Sequence, residues 1–122
     1  VLGLFCIGAG GTVGASARYL LGRIINARLQ SAFPWATWLI NISGSFLLGY
    51  IAQRTNFGKD NPLLWKLIGT GFCGAFTTFS TFGYETLQMI EKGKWGLALR
   101  YVVSSIVLAI CGVWIGIQMA HH

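Results

Sequence analysis

Residues 69–86, GTGFCGAFTTFSTFGYET, decide how this chain is read. They lie across a run without Asp, Glu, Lys or Arg from 67 to 84, close to the ~20 residues that a bilayer-crossing helix needs. Yet Thr77, Thr78, Ser80 and Thr81 cluster inside it. Unpartnered backbone and hydroxyl groups are costly in hydrocarbon, so polar, irregular backbone at membrane depth lines a cavity or a permeation route. Gly69, Gly71 and Gly74 weaken helix propensity and the hydroxyls compete for backbone groups. The pattern predicts a span interrupted over about 74–80, with two half-helices meeting there. Such breaks offer freed carbonyls to cations and exposed N–H groups to anions. The competing reading is an unbroken helix packed through its hydroxyls. The stretch points to ion transport.

Similar charge-free runs cover 1–17, 29–53 and 101–120. The 122 residues are 54% hydrophobic and 10% charged, with a mean hydropathy of +0.62. That composition belongs to membrane proteins. The expected architecture is a single all-α domain over 1–122, with four transmembrane helices at about 2–25, 34–53, 63–90 and 97–120. The short connections leave no room for a soluble catalytic lobe, and no nucleophile–base pair or metal-ligand spacing is visible, so an enzyme is not expected. Cys6, Cys73 and Cys111 fall in separate spans and read as small apolar fillers. Val1 and the terminal His121 and His122 read as processed or added ends.

The net charge of +6 is spread along the chain without a basic run, which disfavours nucleic acid as a partner. Four spans put Arg23, Arg28, Lys92, Lys94 and Arg100 on one side of the membrane and Arg54, Lys59 and Lys66 on the other. So weak a bias hardly orients the chain. Insertion in both directions, and hence an antiparallel homodimer, is the hypothesis that follows.

Polar groups recur in the other spans. Arg18 reads either as a cation snorkelling to lipid headgroups or as the wall of an anion-attracting vestibule. Asn41 and Ser45 share one face of the second span; the amide either cross-links helices or donates to a passing anion. Phe79 and Phe82 continue a stripe begun at Phe76, and the positive edge of a phenyl ring can face an anion. Glu85 either bonds hydroxyls of the polar row or takes part in proton transfer; the first is expected, since one carboxylate makes a poor relay. Tyr101 and Ser105 either line a route beside the third span or cap backbone. Gly10/Gly14 and Gly112/Gly116 are small-xxx-small pairs that allow close helix approach.

The segment 71–86, together with Arg18 in GASARYLLG, Asn41 in WLINISGSFLLG, and Tyr101 with Ser105, resembles the CrcB/Fluc family of fluoride channels over essentially the whole length. The resemblance implies a passive fluoride channel of the cell membrane, formed by a dual-topology homodimer with two antiparallel pores. It also implies a central structural sodium ion held by the backbone carbonyls of Gly74 and Thr77. Phe79 and Phe82 would be the pore phenylalanines and Asn41 the pore amide. Thr78, Ser80, Thr81 and Glu85 would form or border the polar row, with Tyr101 and Ser105 nearby and Arg18 toward the vestibule. Ala75 and Phe76 replace a Gly-Leu pair common in relatives, and Ala109 stands where some carry serine. The rival reading is a small dual-topology exporter of cationic drugs, but that chemistry calls for an acid early in the bundle, where this chain has Arg18.

Overall fold

The computed structural model describes residues 1–77 and 79–121; Thr78, one of the expected pore residues, lies outside them. Every described element is helical. α1 is Leu2–Arg28, α2 Trp35–Arg54 and α6 Trp95–His121, and these three are long and apolar enough to cross a membrane. Between α2 and α6 the chain runs through α3 (Pro62–Leu64), a π-helical stretch (Trp65–Cys73), α4 (Gly74–Phe76) and α5 (Phe79–Glu91).

This run starts where Asn61 accepts the Leu64 N–H on its side chain at 3.2 Å and Pro62 occupies the first helical position, a site where its missing N–H costs nothing. At the other end of α5, Gly93 at φ +76 donates to the Ile90 carbonyl at 3.0 Å while Lys94 donates to that of Met89 at 2.8 Å. That reciprocal pair is a Schellman close, and it needs the left-handed conformation at Gly93. Nothing lies within 4 Å of a Cβ built there, so a substitution meets only the backbone penalty. Gly93→Ala is expected to destabilise the fold by about 1 kcal/mol, read by chemical unfolding in detergent micelles; an unchanged midpoint would mean that the turn relaxes.

The unwinding expected over 74–80 is much narrower. Gly74–Phe76 and the first residues of α5 are helical, and only Thr77 among the described residues of that interval is extended, at φ −81 and ψ 154. Its N–H still reaches the Cys73 carbonyl at 3.0 Å and its hydroxyl reaches the same oxygen at 2.8 Å. Helical bonding therefore runs up to the Thr77 nitrogen, and the chain leaves the helix at that residue's ψ.

The π-helical stretch was not foreseen. It packs along α1, where a Cβ on Gly10 would fall on the Leu67 carbonyl and one on Gly14 on that of Phe72. The most extensive helix contact is between α2 and α6, again through glycine: Gly49 meets the Val113 carbonyl and Gly116 that of Phe46. α5 leans mainly on α6. Met89, Ala98 and Tyr101 form a buried cluster there, surrounded by Phe33, Trp38 and Phe82.

A candidate ion route between α2, α5 and α6

Helical spacing puts Thr37, Asn41 and Ser45 on one face of α2, and Tyr101, Ser105 and Ala109 on one face of α6. The two faces meet α5 and the end of α4 in a groove of about 410 Å³ whose lining includes Asn41, Gly74, Thr77, Phe79, Phe82 and Ser105. Residues spread over 65 positions of sequence thus converge. Ser45 bonds back to the Asn41 carbonyl at 2.7 Å, which occupies the serine hydroxyl and leaves its polar contribution to the groove small.

The aromatic stripe divides at Thr77. Phe76 stacks on Phe72 at 5.2 Å and 18° and is buried, because the three-residue spacing does not carry through an extended residue. Phe79 and Phe82 stay together at 6.2 Å. Phe82 packs on Tyr101 at 4.9 Å, and Phe33 meets the Tyr101 ring edge-on at 5.4 Å and 88°. Phe82 is thereby held, while Phe79 is 85% exposed on this single chain.

Glu85 shares a cavity with Thr81 of its own row and reaches other helices as well. Its carboxyl lies beside the hydroxyls of Thr37 and Tyr101, on α2 and α6, because the face of α5 that carries Phe82 also carries Glu85. The neighbours are close without an aligned bond: Glu85 Oε1, Tyr101 Oη and Ser105 Oγ are sealed from solvent with no hydrogen-bond partner among the described residues. Leaving such groups unpaired costs about 1–3 kcal/mol each. Three together mark a place built for a polar guest. Thr37, 7% exposed, was missed in the sequence; its signal was the position one turn before Asn41.

Arg18 turns inward. Its Nε donates to the Ala75 carbonyl at 3.3 Å, at the C-terminal end of α4, and it shares a cavity of about 300 Å³ with Thr37, Thr81 and Glu85. A guanidinium at a helix C-terminus complements the exposed carbonyls there. Ser80 differs from expectation: it is exposed on α5, outside the described lining of the groove, since it follows Phe79 by one position and so points away from the Phe82 face.

Long apolar helices around a groove of amide, hydroxyl and ring-edge groups define a multi-pass membrane protein of the ion-conducting class. Within that class the chain belongs to the CrcB family: residues 5–117 match the family described as "CrcB-like protein, Camphor Resistance (CrcB)". It is 46% identical over 112 residues to a fluoride-specific ion channel FluC 2 of Clostridium acetobutylicum, covering 92% of each chain. It is 45% identical over 117 residues to a fluoride-specific ion channel FluC of Acidobacterium capsulatum, covering 95% of this chain and 94% of the relative. A FluC 2 of Symbiobacterium thermophilum is 40% identical over 115 residues, with 93% and 94% covered.

Proposed function

We propose that this protein is a passive, fluoride-selective channel that lets fluoride leave the cell down its electrochemical gradient. The observation that carries the reading is the buried, unpartnered pair of hydroxyls on Tyr101 and Ser105, Tyr101 beside Phe82 and Ser105 sharing the groove with Asn41. Fluoride is small and strongly hydrated, so a pore must replace its water with many close donors; a narrow bore disfavours the larger chloride. Hydroxyl and amide donors do this directly, and phenyl edges do it without being able to coordinate a cation. The names of the relatives agree with that chemistry and do not favour the drug-exporter alternative.

The functional unit is an antiparallel homodimer. Supporting it are the weak charge bias between the two sides and the 85% exposure of Phe79 at the rim of a groove open on one side, a wall that a second copy would supply. Thr77 leaves the helix at ψ 154, which turns its carbonyl out of the ladder. Carbonyl oxygens freed at a helix break suit a hard cation. The Gly74 and Thr77 carbonyls of two copies would hold the structural sodium ion, which supplies positive charge midway through the bilayer. Arg18, bonded to Ala75 between these positions, adds cationic charge that attracts anions to the same depth.

Purified protein in liposomes, followed with fluoride and chloride electrodes, tests the reading. The expected result is rapid fluoride release without chloride release, from a complex with twice the 13.3 kDa of one chain. Equal release of both ions, or none, would sink it.

A further inference from the structure

The α1–α2 connection and the α5–α6 turn meet around a pocket of about 400 Å³, separate from the groove, lined by Asn26, Gln30, Gln88, Lys92 and Lys94, with Glu85 also in its wall. Helical spacing explains the continuity. Thr81, Glu85, Gln88 and Lys92 succeed one another at i, i+4, i+7 and i+11 along one face of α5 and its C-cap. The Schellman close at Gly93 then sets Lys94 just beyond Lys92 at the same rim. The pocket reaches inward as well: Glu85 and Asn26 line both it and the cavity that holds Arg18, Thr37 and Thr81. Amides and two ammonium groups outside thus lead to a sealed polar cluster inside, where Glu85 Oε1 has no partner.

We infer that this pocket is an anion-collecting mouth: Lys92 and Lys94 concentrate small anions at one end of the fluoride route and feed them along the α5 face toward the hydroxyls of Thr81 and Thr37 and the Arg18 guanidinium. The inference rests on the fluoride reading. Two ammonium groups at the rim of a cleft between low-dielectric walls raise the local concentration of counter-ions, and the carboxyl of Glu85 lies at the inner wall shared with the Arg18 cavity. Lysines that only snorkelled to lipid would leave that concentration unchanged. Because the effect acts through the field, salt must screen it: the Debye length falls from about 30 Å at 0.01 M to about 3 Å at 1 M.

Two measurements on the 122-residue chain in zwitterionic lipid test this. The first needs no transport: Gln30→Cys places a thiol in the pocket wall, and mass spectrometry follows its reaction with an anionic sulfonate thiosulfonate and with the cationic trimethylammonium analogue. The anionic reagent is expected to react faster, with the preference falling by about fivefold or more when Lys92→Gln and Lys94→Gln are added; an unchanged preference overturns the mouth. The second is fluoride efflux in an impermeant salt. The double lysine variant is expected to be about threefold or more slower at low salt and equal to the parent at ~1 M, with fluoride over chloride selectivity kept. A variant as fast as the parent at low salt overturns the inference. A parent that releases no fluoride while the thiol preference shifts shows that the field exists but that the fluoride route, and with it the mouth's role, is wrong.

Discussion

Phe79→Ile and Phe82→Ile are each expected to cut fluoride efflux by more than about tenfold, the equivalent of losing about 1.4 kcal/mol of anion contact. Isoleucine keeps an apolar side chain of comparable bulk but has no ring edge to offer an anion. The two substitutions separate transport from folding in different ways. Phe79 is 85% exposed on the single chain, so its loss leaves the subunit's own packing intact. Phe82 lies 4.9 Å from the Tyr101 ring, and its replacement also frees that ring to move. Efflux and chemical unfolding measured on the same preparations tell these apart: Phe79→Ile should unfold like the parent while conducting poorly, whereas Phe82→Ile should lose some stability as well. Parental rates in both variants would remove the aromatic contact from the mechanism.

A large loss of stability should come from Gly14→Val and Gly116→Val, each by more than about 3 kcal/mol, beyond the usual cost of overpacking. In both cases the added Cβ meets a backbone carbonyl, of Phe72 or of Phe46, and a carbonyl inside a hydrogen-bonded helix cannot step aside as a side chain can. The helices must separate, and dispersion contacts along the whole seam weaken with the added distance. Gly8 is the internal control. It lies in α1 with nothing within 4 Å of a Cβ, so Gly8→Ala should leave the unfolding midpoint unchanged or slightly raised, in keeping with the better helix propensity of alanine. Equal stability of Gly14→Val and the parent would show that the α1 seam is looser than its geometry.

Much of this was legible in the sequence because the bilayer is a demanding solvent. Uninterrupted apolar runs predict helices, and α1, α2 and α6 cover most of the runs 1–17, 29–53 and 101–120, with α1 continuing well past its run to Arg28; Arg28, Trp35 and Trp95, at helix ends, suit the interface. Gly10/Gly14 and Gly112/Gly116 read as close-packing pairs, and helical spacing linked Asn41 to Ser45 and Tyr101 to Ser105. Other features were not legible, since they depend on which helix meets which. Glu85 reaches Thr37 and Tyr101 on other helices because of how α5 leans on α6. The π-helical stretch follows from the course of that segment along α1, for which local propensity has no code.

The linear order of residues determined that this chain is helical, membrane-embedded and polar at mid-span, since hydrophobic length and hydrogen-bond satisfaction in lipid are properties of each segment taken alone. Only the tertiary structure decided where Arg18 turns, that Phe76 leaves the stripe which Phe79 and Phe82 keep, and that Lys92 and Lys94 share a pocket with Asn26 and Gln30. Those outcomes depend on the angle and register at which helices cross, and these are set by contacts between segments far apart in the chain.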